Sequence, residues 1–297
     1  MQNLFLTVLL VVLLFIIFRY FKKFKINSFH AVVINYYVCI LTGIIFLSNS
    51  SIIVKESISL DLPWVKYGIY TGLLFVPTFY LMALTVDKIN ITVATVANKM
   101  SLVIPVVFSL IFLKRGSSDV SVINITGILM TLIAIVMTSI KQETTEESKI
   151  NKTLLIVLPA ALFILGGIID TLINYTNFIY LHGKHQAVFP LVMFATASVT
   201  GTIFIIIKAM ITNHKLITFK DVAGGIILGI PNYFSLYFLL KTLSDFNNDA
   251  ALVFPVVNIS VIALASLMAV VLFQEKLSNI NLIGICFSVI SIILVFW

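Results

Sequence analysis

The stretch TVATVANKMSLVIPVVFSLIFL, from Thr92 to Leu113, carries one charge, Lys99, in a run of mostly apolar and small residues. It is as long as the roughly 20 residues that an α-helix needs to cross the hydrocarbon core of a bilayer. Similar runs recur along nearly the whole chain of 297 residues, of which 60% are hydrophobic and 10% charged. Soluble domains contain about 25% charged residues. The chain is therefore predicted to be an all-α polytopic membrane protein.

The apolar runs predict ten transmembrane helices. Their continuous length favours helices over the strands of a membrane β-barrel, whose segments of about ten residues alternate in polarity. The first run is interpreted as a mature helix and not as a signal peptide, because its start, MQN, has no basic residue. The predicted boundaries are 3–20, 29–48, 64–86, 92–113, 121–140, 153–180, 187–209, 222–243, 249–273 and 279–297.

The chain also contains an internal repeat. At an offset of 157 residues, 68–140 aligns with 225–297 without a gap, and at 158 the TGIIF of 42–46 aligns with the TGTIF of 200–204. Apolar matches mean little in such a composition, but polar and glycine matches at one offset are informative. The matched positions include Gly68 with Gly225, Gly72 with Gly229, Tyr80 with Tyr237, Thr85 with Thr242, Asn90 with Asn247, Ser109 with Ser266, and Gly127 with Gly284.

Each copy of the repeat holds five predicted helices, and an odd number of crossings makes the second copy enter the membrane from the opposite face. We therefore predict two inverted five-helix repeats, 1–140 and 153–297, joined by a charged linker at 141–152. Many secondary transporters have this organisation, although duplication is also a simple way to build any stable bundle. The GxxxG glycine pairs at 68 and 72 and at 225 and 229 are predicted to allow close helix packing.

Each copy ends with a helix, a short turn and a further helix that opens with glycine. In the second copy the sequence is LFQEKLSNINLIGICFSVISIILVF, with Glu275 before Gly284, and in the first it is LKRGSSDVSVINITGILMTLIAI. With the SLVIP around Pro105 and the five-plus-five arrangement, these segments resemble the EamA family of the drug/metabolite transporter superfamily over nearly the whole chain. The resemblance implies cytoplasmic termini and the transport of metabolites, amino acids, nucleotide sugars or drugs.

Three positions depart from the family pattern. The usual Gly-Glu turn reads Gln274-Glu275, Ser118 replaces the acidic residue of the first copy, and Ile262 stands where the family often has proline. Because the shared motifs are structural, the resemblance supports the fold more strongly than any substrate.

Lys99 is the first candidate site residue. It lies about 10 Å along the axis of predicted helix 4, which is deep for a lysine to reach water. A charge at the bilayer centre costs on the order of 3 kcal/mol or more, so it usually faces a cavity or a partner. We predict that Lys99, with the neighbouring Asn98 and Ser101, binds an anionic or carbonyl-bearing substrate. Snorkelling or structural pairing of Lys99 is the alternative.

Asp170 is the acidic residue that lies clearly inside a predicted span. It belongs to a stripe of small and polar residues at helical spacing on helix 6, which also includes Gly166, Gly167, Asn174 and Asn177. Such a stripe is expected to face protein or water and not lipid. Asp170 is predicted to couple transport to an ion or a proton, with neutralisation of Lys99 or a structural hydrogen bond as alternatives.

Further polar side chains at membrane depth complete the predicted substrate site. For each of them an interhelical hydrogen bond is the alternative interpretation. Glu275, at a helix end, is expected to be solvated or to stabilise its turn. The further predicted substrate-binding residues are Asn35, Tyr36, Asn174, Asn232, Tyr233 and Asn258.

The predicted function is a secondary transporter, of which an exporter is one form, for small polar or amphipathic metabolites. The chain has no phosphate-binding glycine loop, HExxH motif or second intramembrane carboxylate, so neither ATP use, catalysis, a cofactor nor a metal site is expected. A receptor or assembly scaffold is the main alternative, and an intramembrane enzyme the lesser one.

The expected partners are a small-molecule substrate and the lipid bilayer, with a homodimer left open. Nucleic acid is not expected, because insertion topology explains basic residues in loops beside apolar helices. The expected location is the cell (inner) membrane, with several crossings. Lys and Arg are more numerous after odd-numbered helices, which favours termini outside the cytoplasm and disagrees with the family resemblance.

Overall fold

The structure is a computed structural model that describes residues 2–48, 61–105, 108, 122–139, 152–181, 185–212, 217–246, 250–275 and 277–296. Within these residues the secondary structure is helical, and a helix lies at each position that the apolar runs predict. The helices are α1 (Gln2–Phe24), α2 (Ser28–Ser48), α3 (Pro63–Lys88), α4 (Ile91–Met100), α5 (Val122–Ser139), α6 (Lys152–Ile179), α7 (His185–Thr212), α8 (Phe219–Asp245), α9 (Ala250–Phe273) and α10 (Asn279–Phe296).

Among the described residues, 7 helices are long and apolar enough to cross a membrane. The protein is therefore an integral, multi-pass membrane protein whose helices contact the lipid bilayer. Two further apolar helical stretches are shorter: Ile91–Pro105, which includes the turn after α4, and Asn279–Leu294. The candidate spans are Gln2–Phe24, Ser28–Phe46, Pro63–Lys88, Thr153–Asn177, Val188–Ile211, Phe219–Leu243 and Val256–Phe273.

Predicted helix 4 is interrupted, which corrects the expectation of a continuous helix over 92–113. α4 ends at Met100, residues 101–102 form a turn, and helical backbone resumes at 103–105. Pro105 favours the turn, because proline has no N–H and its ring collides with the carbonyl four residues earlier, that of Ser101. That carbonyl accepts instead from the Ile104 amide at 2.9 Å. Apart from residue 108, the rest of the predicted helix lies outside the described residues.

The chain forms two compact units, and each unit contains helices from both halves of the sequence. Unit 1 comprises Met1–Tyr80 and Leu172–Thr242, and unit 2 comprises Leu81–Thr171 and Leu243–Trp297. The division into sequence repeats at 1–140 and 153–297 is a different one and stays a prediction. The linker 141–152 lies outside the described residues except for its last one.

In unit 1, α3 packs closely on α7 through a pair of glycines. A Cβ added at Gly68 would lie 3.0 Å from Cγ1 of Val192, and one added at Gly72 would lie 2.5 Å from the carbonyl oxygen of Met193. Because both residue numbers rise together along the contact, the two helices run parallel. The predicted packing role of these glycines is confirmed.

α8 packs on α2 in the same way. A Cβ added at Gly225 would lie 2.5 Å from Cβ of Ile34, and one added at Gly229 would lie 2.8 Å from the Asn35 carbonyl oxygen. These two helices also run parallel. The second predicted glycine pair is therefore confirmed as a packing contact.

α2 and α7 touch each other and run antiparallel. A Cβ added at Gly43 would lie 2.5 Å from Leu191, and one added at Gly201 would lie 2.6 Å from Val33. Near the second contact, the Tyr37 hydroxyl lies 2.7 Å from that of Thr202.

These close contacts of unit 1 occur in equivalent pairs. The offset between the members of each pair is the offset of the sequence repeat, 157 residues from α3 to α8 and 158 from α2 to α7. The contact of Gly68 with Val192 corresponds to that of Gly225 with Ile34. The contact of Gly72 with Met193 corresponds to that of Gly229 with Asn35. Gly43 contacts Leu191 and Tyr233, and its equivalent Gly201 contacts the equivalent residues Val33 and Val76.

In unit 2, two side chains cap the start of α4. Asn90 accepts from the Val93 amide at 2.7 Å, as an N-cap residue does. The Glu275 carboxylate, which follows α9, accepts from the Ile91 amide at 3.0 Å and from the Thr92 hydroxyl at 3.3 Å. A negative charge at a helix N-terminus is favourable by about 0.3–1 kcal/mol. Glu275 therefore caps the start of α4, a role that its expected solvation or stabilisation of its own turn did not include.

Candidate functional site

Five of the predicted site residues lie in unit 2, and Ser101 contacts two of the other four, Asp170 and Asn98. Its hydroxyl lies 3.1 Å from Oδ2 of Asp170 and 2.5 Å from the carbonyl oxygen of Asn98. Gly166 makes this approach possible, because a Cβ there would lie 3.1 Å from the Ser101 hydroxyl. The small and polar stripe of α6 therefore contacts the interruption of α4, in agreement with the expectation that it faces protein.

Asn258, on α9, contacts the same interruption from another side. Its Nδ2 donates to the Lys99 carbonyl oxygen at 3.0 Å. In an unbroken helix that carbonyl would accept from the amide four residues later. The carbonyl groups of Asn98 and Lys99 are thus bonded by side chains at the point where the backbone ladder is interrupted.

Lys99 and Asp170 form the charged part of this group. Both residues are half-buried, and their charges attract each other. They form no direct ion pair, and within the described part of the chain the Lys99 ammonium has no hydrogen-bond partner. Lys99 is therefore a partly accessible cation, held near a carboxylate but not bound to it.

The unit 1 residues Asn35 and Asn232 join α2 to α8. Asn232 Nδ2 donates to Asn35 Oδ1 at 3.1 Å, and Asn35 Nδ2 donates to the Val32 carbonyl at 3.3 Å. The Cys39 thiol donates to the Gly229 carbonyl at 3.3 Å. The side chains of Asn35, Cys39 and Asn232 are buried. The interhelical hydrogen bond, which was the alternative interpretation of both asparagines, is therefore present.

Tyr36 is fully buried among aromatic rings. Its ring lies against those of Phe75 and Phe194, at 6.1 Å between centroids in each case, and these two rings also contact each other at 5.8 Å. Among the described residues its hydroxyl has no hydrogen-bond partner. Buried hydroxyl groups are usually bonded, so this one is an exception that needs a physical account.

The other two predicted residues of unit 1 are Tyr233 and Asn174. Tyr233 is buried, and its ring lies against Gly43, where an added Cβ would be 2.7 Å from Cε2. Asn174 is half-buried near the end of α6, and its side chain makes no hydrogen bond within the described residues. The predicted site residues therefore form two groups, one in each unit.

Asp221, which the sequence predictions do not include, is a buried carboxylate that joins the starts of α2 and α8. It accepts from the amides of Asn27 and Thr218 at 2.8 and 2.9 Å, and from His30 Nδ1 at 3.2 Å. Its own amide bonds to the Thr218 hydroxyl at 3.3 Å. The T-x-x-D spacing of a capping box was the available signal. Within the described residues, no three His, Cys, Asp or Glu side chains come together as metal ligands would.

Comparisons with known proteins support the fold and leave the activity unassigned. No protein-family profile matches the chain. An uncharacterized protein of Haemophilus influenzae is 27% identical over 227 residues, which cover 76% of this chain and 73% of that protein. A solved crystal structure whose description states no function aligns with a TM-score of 0.55 at 12% identity and covers 97% of both chains. At this identity the likeness concerns the fold alone.

Proposed function

We propose that the protein is a secondary membrane transporter of the EamA type, which moves a small polar or amphipathic metabolite by alternating access of two inverted five-helix repeats. The observation that carries this proposal is the group formed by Lys99, Ser101 and Asp170 at the interruption of α4. It combines two charges with irregular backbone inside an apolar helical protein.

Such a group is expensive for a membrane protein that only packs or anchors. Each charge at membrane depth costs on the order of 3 kcal/mol, and interrupted helices persist only inside protein or beside a water-filled cavity. Transporters place their substrate sites at discontinuous helices. Here Ser101 and Asn258 bond the freed carbonyl groups, and the Lys99 ammonium is the group offered to a ligand. A receptor or scaffold that only packs has no functional need for a half-buried cation beside a half-buried carboxylate.

The equivalent contacts of unit 1 support inverted repeats. α2 and α7 occupy equivalent positions in the two sequence copies, run antiparallel and touch through Gly43 and Gly201. Two equivalent helices that meet antiparallel are related by a two-fold axis perpendicular to them, which is the relation that inverted topology requires. The exchange of contacts between α3–α7 and α8–α2 agrees with the same axis.

In this proposal Lys99 binds an anionic or carbonyl group of the substrate, and Asn98 and Ser101 bind its other polar atoms. Asp170 is the coupling group or the counter-charge of Lys99. The remaining hydrogen-bonding groups come from Asn35, Tyr36, Asn174, Asn232, Tyr233 and Asn258. The proposed location is the cell (inner) membrane; the direction of transport and a homodimeric state are left open.

Vectorial transport by the purified protein tests the proposal. We would reconstitute it in liposomes and record currents on a solid-supported membrane with single amino acids, organic acids and amines as probes. A probe should move with wild type and with Lys66→Met, an exposed lysine of α3, but not with Lys99→Met. If a probe raises the melting temperature but none crosses the membrane, the protein is a receptor and the transport proposal is wrong.

A further inference from the structure

The Ser101 hydroxyl has one hydrogen and two acceptor oxygens within reach. One is the Asn98 carbonyl at 2.5 Å, and the other is Oδ2 of Asp170 at 3.1 Å. A hydroxyl donates one hydrogen bond and accepts through its lone pairs. If its hydrogen points to the carbonyl, which can only accept, the contact with Asp170 is a hydrogen bond only when Asp170 itself carries a proton.

We propose that Asp170 is a proton-binding site and that Ser101 is the acceptor that stabilises its protonated form. The carboxylic acid then donates to the Ser101 oxygen, and the Ser101 hydroxyl donates to the Asn98 carbonyl. When Asp170 loses its proton, the Ser101 hydroxyl rotates and donates to the carboxylate. The proton comes from water and returns to it, and no covalent bond other than the carboxyl O–H changes. That this proton drives transport rests on the proposed function; the binding site itself does not.

The surroundings of Asp170 favour a proton over a metal ion. Lys99, on α4, is the charged group that acts on it, and Ser101 is the polar side chain bonded to it within the described residues. Within the described residues, α9 contributes the neutral amide of Asn258, which is bonded to the Lys99 carbonyl. A metal ion would need several oxygen ligands and would be repelled by the nearby ammonium. A proton needs one acceptor and leaves no bare positive charge beside Lys99.

Protonation also changes what Lys99 attracts. The ionised carboxylate neutralises the ammonium through space, and the protonated acid does not. Lys99 is then left as a cation free to attract an anionic group of a substrate. Proton binding and the binding of that group therefore favour each other, and by linkage each strengthens the other by the same factor.

Infrared spectroscopy of the whole protein in lipid nanodiscs tests the site without a known substrate. The carbonyl stretch of a protonated carboxylic acid is recorded as pH is lowered, for wild type, Asp170→Asn and Ser101→Ala. We expect a protonated-acid band that Asp170→Asn abolishes and that is severalfold weaker in Ser101→Ala at the same pH. Ser101→Thr, which keeps a hydroxyl, should retain it, as should Ser198→Ala, whose hydroxyl bonds to the Ala195 carbonyl in unit 1.

The sign of the Ser101→Ala effect decides between the two hydrogen-bond directions. If Ser101 mainly donates to the ionised carboxylate, its removal destabilises the ion and the band becomes stronger, which overturns the proposal. If Asp170→Asn does not fold, isotope-labelled aspartate identifies the band in wild type and leaves the test intact. A band without transport would overturn the proposed function alone, and transport without a band would overturn the proton site alone.

Discussion

The α2–α8 interface and the α7–α3 interface are built on the same glycine contacts, but their polar side chains differ. Asn35, Cys39 and Asn232 lie at the first. At the equivalent positions of the second the chain has Met193, Ala197 and Phe75. The shared glycines therefore serve close helix packing at both interfaces. The polar groups belong to the α2–α8 interface alone, and they are hydrogen-bonded there, because a buried polar group without a partner costs free energy.

The largest expected effect comes from a side chain added at the shared contact. In Gly72→Ala the new Cβ would lie 2.5 Å from the Met193 carbonyl oxygen, which belongs to a helix backbone and cannot move alone. We expect the free energy of unfolding to fall by about 1–3 kcal/mol, as in other overpacked sites. Gly229→Ala, 2.8 Å from the equivalent Asn35 carbonyl, should behave alike.

Thermal melts in detergent measure both losses. Gly68→Ala is the matched control, because its nearest neighbour is a side-chain atom of Val192 at 3.0 Å, which can yield. A loss in Gly68→Ala as large as that in Gly72→Ala would contradict the assignment of the tightest contact to the backbone of α7.

The next effect comes from making one interface resemble the other. Asn35→Met introduces the residue found at the equivalent position 193 and leaves the Asn232 amide without its acceptor. A buried polar group that loses its partner costs about 1–3 kcal/mol. The double variant Asn35→Met, Asn232→Phe removes both polar groups, so its loss should be smaller than the sum of the two single losses. Urea unfolding of the four proteins gives this coupling, and additive losses would show that the two asparagines act independently.

Tyr36→Phe should act in the opposite direction. Tyr36 stacks on Phe194, its equivalent in the second copy, and differs from it only by a hydroxyl that has no partner in the described structure. Its removal relieves an unsatisfied buried group, so we expect a gain of about 1 kcal/mol and a higher melting temperature. Phe194→Tyr is the mirror control and should lose stability. A lower melting temperature for Tyr36→Phe would mean that the hydroxyl has a bonded state in solution.

Much of the fold is predictable from the sequence, because helix length and small-residue spacing are local properties. The run lengths placed the helices, and the recurrence of Gly68 and Gly72 at Gly225 and Gly229 identified the close packing. The interruption of α4 was not predicted from Pro105. Proline also lies inside the continuous helices α3, α6, α7 and α8, so proline alone does not decide where a helix breaks.

What distinguishes Pro105 is tertiary. Asn258 supplies a donor to the Lys99 carbonyl from a position 159 residues away, whereas the bond from Ser101 to the Asn98 carbonyl is local. The same limit applies to the other asparagines. Sequence reasoning selected Asn35 and Asn232 by residue type and depth, but their mutual hydrogen bond depends on the register between α2 and α8. The small and polar stripe on α6 was predictable as a face, whereas its contact with Ser101 was not.

In unit 2, α4 and α9 can be compared in the same way as the two interfaces of unit 1. The smallest stability effect is expected from a substitution that makes α4 resemble α9. Ile262 of the continuous α9 is equivalent to Pro105, so Pro105→Ile should let α4 continue through residues 101–102. The restored backbone bond to the Lys99 carbonyl competes with the Asn258 side chain, so the bond gained and the bond lost nearly cancel. We expect a stability change within about 1 kcal/mol, since each exchanged hydrogen bond contributes about that amount.

Hydrogen exchange resolves what the melting temperature does not. The amides of 102–104 should become more protected in Pro105→Ile, while those of α9 stay as in wild type. Because the turn brings Ser101 to Asp170, the protonated-acid band of Asp170 should weaken in the same variant even though its stability is nearly unchanged. Unchanged protection would place the cause of the interruption in the Asn258 contact and not in proline. Asn258→Val would then be the variant that straightens the helix.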